Sequence, residues 1–226
     1  MKNIFEILKN CPLFSGIAET DLSALLACLN AKQIGFEKND FVYLADDTAA
    51  KVGIVIEGGV NIIQEDYWGN RMILSHVEPG ELFGEVFACA GVPKLPVSVV
   101  AAVRSEILLI DVARIVTTCS SASEFHSGMI RNLMRILARN NLAMIQKMEH
   151  ITRRSTREKL LSYLSARAKE LGNSKFDIPF NRQEMADYLA VDRSAMSAEL
   201  SKMRDDGLLT YDRNHFNLTQ KSNSES

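Results

Sequence analysis

The stretch Phe180–Leu218, FNRQEMADYLAVDRSAMSAELSKMRDDGLLTYDRNHFNL, decides the reading of this chain. In its first part Met185, Ala186 and Leu189 recur at helical spacing and make one apolar face. Ala190-Val191-Asp192 reads as a tight turn, and Asp192 or Ser194 has the short polar side chain that caps the first N–H groups of a following helix. In that second helix Met196, Leu200 and Met203 form the stripe to be buried, while Arg193, Ser194, Ser197 and Lys202 fall on the opposite face. Gly207 ends the helix, and Leu208-Leu209-Thr210-Tyr211 opens a short two-stranded wing. A helix of this kind lies on a scaffold with its N-terminal end held toward a polar partner. In a helix-turn-helix protein that partner is the DNA major groove. The same periodicity also occurs in plain helical packing hairpins, so the rest of the chain must decide.

Upstream, residues 156–171 form an amphipathic helix through Leu160, Leu161, Leu164 and Leu171, ended by Gly172-Asn173-Ser174. Ile151-Thr152-Arg153-Arg154-Ser155 reads as a polar hinge before it. Residues 124–151 contain no Pro and predict one long helix. Along it Ile130, Leu137, Met144 and Ile151 recur every seven residues, and Met134, Asn141 and Met148 make the second row of a heptad. A parallel pairing of two copies buries such a stripe, and Asn141 in the seam favours one register and a dimer. The stripe also suits packing on the chain's own β region, and both hold if two faces are used. The expected dimer contacts are Ile130, Met134, Leu137, Asn141, Met144 and Met148.

Further upstream the texture is β. Residues 41–44, 52–56, 60–63, 71–74, 97–100 and 107–110 are short β-rich runs. Glu57-Gly58-Gly59, Tyr67-Trp68-Gly69-Asn70 and Glu78-Pro79-Gly80-Glu81 separate some of them, the pattern of a sandwich or barrel. Residues 2–9 and 21–29 read as short helices, and the tail KSNSES as disordered. The expected fold class is α+β. A β-roll domain spans residues 1–120, a dimerisation helix 121–151, and a winged helix-turn-helix 152–226.

Composition narrows the function classes. No apolar run approaches a membrane span and the N-terminus is not a secretion signal, so a cytoplasmic chain with no membrane partner is expected. Residues 151–226 carry 13 Lys and Arg against 11 Asp and Glu, and residues 1–150 carry 13 against 17. The positive balance therefore sits with the helix-turn-helix, where a DNA partner needs it. Cysteines 11, 28, 89 and 119 form no close pair, so they read as structural thiols, with neither zinc nor an iron–sulfur cluster expected. His76, His126 and His150 are formal haem ligands, but isolated histidines are more often hydrogen-bonded or surface residues, and haem is not expected. No Ser/His/Asp or Cys/His constellation supports an enzyme. The rival without catalysis is a ligand-sensing or protein-interaction module that does not touch DNA.

Taken in order, Val55-Ile56-Glu57-Gly58-Gly59-Val60, Pro79-Gly80-Glu81-Leu82-Phe83-Gly84-Glu85 and Asn181-Arg182-Gln183-Glu184-Met185-Ala186 resemble the CRP/FNR family of bacterial transcription regulators. The resemblance runs from about residue 12 to 218. It implies a cupin-like sensory roll that binds an effector and biases two DNA-binding domains of a homodimer. RNA polymerase is a further partner it implies. In the cyclic-nucleotide branch the ligand-binding Gly and Glu correspond to Gly84 and Glu85. The Arg-Ser pair that neutralises the cyclic phosphate falls on Pro96-Val97, and the Thr-Ser pair that meets the base falls near Met144 and Ile145. An anion buried without its cation loses a charge-assisted hydrogen bond. Cyclic AMP is therefore not expected as effector, and the pocket candidates are Phe83, Gly84, Glu85, Pro96, Val97, Met144 and Ile145. Glu85 has a second reading, in which it satisfies backbone N–H groups of the roll.

The same resemblance assigns DNA contacts. Arg182 and Gln183 are expected to meet phosphates. Arg193 corresponds to an arginine that reads guanine, a contact worth about 1–3 kcal/mol. Ser194 and Ala198 stand where other base-reading residues are common in the family, which predicts a different operator. Ser194, Ala195 and Ser197 allow close approach to bases, and Lys202 and Arg213 are phosphate candidates.

Overall fold

The computed structural model describes residues 4–48, 51–111, 113–116 and 123–219, and the chain divides into two compact units, residues 1–141 and 142–226. Cys119 and the KSNSES tail lie outside the described residues, as does the side chain of His126.

The first unit opens with α1 (Ile4–Asn10), a 3-10 turn at Pro12–Phe14 and α2 (Glu19–Cys28). Eight strands follow: β1 (Lys32–Phe36), β2 (Phe41–Tyr43), β3 (Val52–Glu57), β4 (Val60–Glu65), β5 (Arg71–Val77), β6 (Leu82–Phe83), β7 (Ser98–Ala101) and β8 (Ser105–Ile110). They form two antiparallel sheets, ordered β1-β8-β3-β6 and β2-β7-β4-β5. Each of the six sequence-expected runs meets a strand, with Leu44 and Val97 falling just outside theirs. Lys32–Phe36 and Leu82–Phe83 were not expected, since β1 is a largely exposed edge strand and β6 has two residues. A short helix, α3 (Glu85–Ala90), follows β6.

Strand alternation builds two cores. Val52, Ile54 and Ile56 of β3 face the N-terminal helices, with Leu8, Leu13, Phe14, Leu22 and Leu25. Val55 faces the interior of the roll, with Val60, Val77, Phe83, Val99, Ile107 and Leu109. Gly53 belongs to the inner side, and only glycine fits there. A Cβ on Gly53 would stand 2.0 Å from the Phe83 ring.

After α4 (Ala113–Val116), the helix α5 (Ser123–Ile151) covers 29 residues. Its inward stripe is Met129, Leu133 and Ile136, which join the core under the N-terminal helices. Leu137 packs half-buried against the same core. Ile130, Met134, Leu142, Met144, Ile145 and Met148 are exposed along α5, and Asn141 is exposed beside them. The helix thus has both a buried apolar side and an open one. Leu137, expected in the open seam, lies between the two.

The second unit holds α6 (Thr156–Leu171), β9 (Lys175–Asp177), α7 (Arg182–Leu189), α8 (Arg193–Asp205), β10 (Leu209–Asp212) and β11 (His215–Leu218). The wing has three strands rather than the two expected, in the order β10-β11-β9. Lys175–Asp177 is too short to show a period. It becomes a strand by pairing with His215–Asn217. Leu160, Leu164, Met185, Ala186, Leu189, Met196, Leu200, Met203 and Phe216 are fully buried. Among the described residues, no helix is long and apolar enough to cross a membrane.

Candidate nucleic-acid interface and sensor site

The helix-turn-helix is set by local chemistry. Ser155 and Glu158 form a capping box at the start of α6, and Asn181 and Glu184 form one at the start of α7. Ala190 adopts a left-handed conformation at φ 51° and turns the chain out of α7. Asp192 then caps α8 by accepting from the Ala195 N–H at 2.7 Å. The amine of Lys159 donates to the carbonyls of Leu189 and Ala190 at 3.2 and 3.0 Å, which satisfies the end of α7 and suits its dipole. Arg157 pairs with Glu199 at 3.2 Å and with Asp206, tying α6 to α8.

This scaffold buries Met196, Leu200 and Met203 completely and so fixes the outward face of α8. Arg193, Ser194 and Ala195 are exposed in its first turn, and Ala198 and Lys202 farther along. Lys202 stands 3.9 Å from Glu199. Ser197 is half-buried, and its hydroxyl donates to the Arg193 carbonyl at 2.9 Å. Arg213 sits exposed at the wing tip, with φ 50°. Gln183 is exposed and donates to Asp187 at 2.8 Å.

Arg182 is placed differently from a free phosphate ligand. Its guanidinium lies 4.6 Å from the Tyr211 ring centre and 5.3 Å from that of Phe216. It is half-buried, and burial lowers its pKa. Arg182 therefore pins the start of α7 to the wing through a cation–π stack. Nothing in the local sequence signals this, because Tyr211 and Phe216 arrive from about 30 residues downstream.

The C-terminal end of α5 belongs to this second unit. Lys147 is buried with its ammonium 4.3 Å from the Tyr188 ring centre, and burial pulls its pKa down to about 8. His150 is buried beside it in sequence. Its Nδ1 lies 2.8 Å from the Ser162 hydroxyl, its ring meets Tyr163 edge-on, and burial lowers its pKa. Sequence periodicity missed both residues because polar side chains do not register in an apolar stripe.

In the first unit, Phe83, Gly84 and Glu85 form the end of β6 and the start of α3. Phe83 is fully buried, 6.2 Å edge-on from Tyr43. Gly84 takes φ 82°, a left-handed conformation that glycine adopts without strain, and so leads directly into α3. Glu85 is 2% exposed, and its Oε1 accepts from the Asn140 side chain of α5 at 2.7 Å. Its Oε2 is buried without a partner, and burial raises its pKa. Beside a backbone hydrogen bond within Glu85 itself, its carboxyl is thus tied to a residue 55 positions away. Val97 is buried and apolar, and Pro96 is exposed. Met144 and Ile145 are exposed residues of the second unit.

Cys11 is buried, which raises its pKa to about 11. The Nδ1 of His76 lies 2.7 Å from the Asn61 side-chain oxygen. Among the described residues, no group of three His, Cys, Asp or Glu side chains is arranged to hold a metal.

A sensory roll followed by a winged helix-turn-helix defines a two-domain regulator. Residues 33–121 match the cyclic nucleotide-binding domain, and residues 158–222 match the Crp-like helix-turn-helix domain. The chain belongs to the CRP/FNR family of DNA-binding transcription regulators. Similar solved structures include FixK2 of Bradyrhizobium japonicum, with TM-score 0.69 and 20% identity, covering 84% of this chain and 93% of that one. The c-di-GMP-responsive global regulator CLP of Xanthomonas campestris gives TM-score 0.74 and 20% identity, covering 90% and 100%. At these identities the likeness is one of fold. Potassium channel KAT1 of Oryza sativa subsp. japonica is 28% identical over 133 residues. Those residues are 59% of this chain but only 18% of the channel, so the chain spans a small part of that curated relative.

Proposed function

We propose that the protein is a homodimeric, sequence-specific transcription regulator that reads a two-fold symmetric DNA site with α8. The observation that carries this reading is the division of α8 into a fully buried Met196-Leu200-Met203 side and an exposed first turn containing Arg193, Ser194 and Ala195. That first turn enters the major groove, with Arg193 on guanine and Ser194, Ala195 and Ser197 close to neighbouring bases. Lys202, Gln183 and Arg213 meet phosphates, and Arg182 holds the wing against α7. The exposed side of α5 joins two copies. The reading places the chain in the cytoplasm, with the DNA, where it controls access or recruitment of RNA polymerase rather than catalysing a reaction.

The roll serves as an effector site for a ligand other than cyclic AMP. Support comes from buried apolar Val97 at the position expected to neutralise a phosphate, and from the apolar packing around Phe83. The test is selection from a random duplex library at near-physiological salt, without ligand and then with cyclic AMP or c-di-GMP. A two-fold symmetric motif whose recovery ignores cyclic AMP is expected. Only weak, sequence-independent binding under every condition would overturn the DNA-reading role, leaving a sensing or protein-interaction module.

A further inference from the structure

Within the first unit, the loop after the 3-10 turn and the start of α5 border a half-open cavity of about 360 Å³ that plays no part in the sensor reading above. Gly16 and Ile17 line one side, and Gly128, Arg131, Asn132 and Arg135 line the other. Arg131 and Arg135 are one helical turn apart and share a face of α5. No acidic side chain lines the cavity, and among the described residues neither arginine has an ion-pair or hydrogen-bond partner. Like charges at this spacing repel, and an anion between them relieves the repulsion.

The opposite wall also offers a donor. Among the described residues the Gly16 amide makes no hydrogen bond, and the position a Cβ would take there is open space apart from the glycine's own chain neighbours. The two walls are held together by buried Asn132, whose side-chain nitrogen donates to the carbonyls of Leu13 and Ser15 at 3.0 and 2.9 Å. A buried asparagine fixes the loop, and two exposed arginines without partners among the described residues border the space beside the Gly16 backbone.

We propose that this cavity is a second ligand site and that it takes a small molecule carrying a phosphate group. A phosphate offers a double charge and several acceptor oxygens, which suit two guanidiniums and an amide better than a single carboxylate does. The volume falls at the lower end of small-molecule pockets, about 300–1,000 Å³, with room for a phosphate on a short carbon chain. The site shares no residue with Phe83, Gly84 and Glu85, so it stands whether or not the roll binds an effector.

The test is thermal unfolding of the full chain in a phosphate-free buffer. Inorganic phosphate and glycerol 3-phosphate are each titrated against sodium chloride at equal ionic strength. A ligand that binds only the folded chain raises the midpoint in a saturable way. We expect such a rise with phosphate or its ester and none with chloride. Arg131→Gln and Arg135→Gln should each weaken the apparent affinity at least tenfold. Gly128→Leu keeps both charges but fills the cavity from a helix position with open space around it, and should abolish the rise while circular dichroism stays unchanged. Equal potency of the two ligands identifies free phosphate as the occupant. A tighter ester shows that its carbon chain is bound as well. No rise with either ligand, or an undiminished rise in the arginine variants or in the filled variant, overturns the proposal.

Discussion

The side-chain amide of Asn140 donates to the buried Oε1 of Glu85 at 2.7 Å, while Oε2 of the same carboxyl group has no partner. One hydrogen bond thus joins the start of α3 to α5, and half of its acceptor is left unsatisfied. A buried carboxyl in that state favours its protonated form, and its pKa is raised by burial. Between its unfolded and folded pKa values the folded chain binds more protons than the unfolded one. Stability from this group is therefore complete below the unfolded pKa, about 4.3, and is lost as pH rises through the folded value. Glu85→Gln keeps a carbonyl acceptor for Asn140 and removes the titration. Chemical denaturation at pH 4.5 and pH 7 should show the variant gaining stability relative to the wild type as pH rises. A constant difference would show that folding leaves the protonation of Glu85 unchanged.

Lys147 gives the opposite slope. Its pKa is lowered to about 8 by burial, so above that value the folded chain sheds a proton that the unfolded chain keeps to about 10.4. The stability of the C-terminal unit should rise between pH 8 and pH 10. Lys147→Met should flatten that rise. Equal slopes for the two proteins would mean that Lys147 remains charged over the Tyr188 ring.

Arg193 and Arg182 separate sequence reading from support. Arg193→Ala should lose about 1–3 kcal/mol on the selected duplex and little on scrambled DNA, so the affinity ratio collapses. Arg182→Ala should weaken all duplexes alike and also destabilise the wing by about 0.5–2 kcal/mol, because it removes the stack on Tyr211 and Phe216. Binding isotherms with both DNAs, read beside thermal melts, check the pair. An unchanged affinity ratio for Arg193→Ala would remove it as a base reader.

The open side of α5 predicts a dimer that charge can break. Met134 and Met148 are 65% and 59% exposed. Lysine at both positions places like charges across the seam. The double variant should sediment as a monomer and bind the symmetric site about 100-fold or more weakly, since two linked half-sites become one. A variant that sediments like the wild type would move the interface elsewhere.

Much of the second unit was legible because its signals are local. The cap at Asp192, the turn at Ala190 and the Met196-Leu200-Met203 stripe each lie within one or two helical turns of their partners. The long helix was legible in extent, but its heptad reading caught the open rows and, at Leu137, their border with the core. The inward stripe at Met129, Leu133 and Ile136, continued by Asn140, has the same spacing, and periodicity alone gives no preference between the faces. Edge strand β1 and the two-residue β6 carry too little alternation to be read before they pair.

By itself the sequence determined the order of the longer elements, the roll, the helix-turn-helix and the exposed first turn of α8. Those follow from short-range periodicity, capping and turn chemistry, and the motif resemblance agrees with them. Only the tertiary structure decided that Glu85 bonds to Asn140, that Arg182 stacks on the wing and that Arg131 and Arg135 share a cavity with Gly16. Each of those depends on segments roughly 30 to 120 residues apart meeting in space. Such meetings depend on how whole sheets and helices pack, and no local pattern records them.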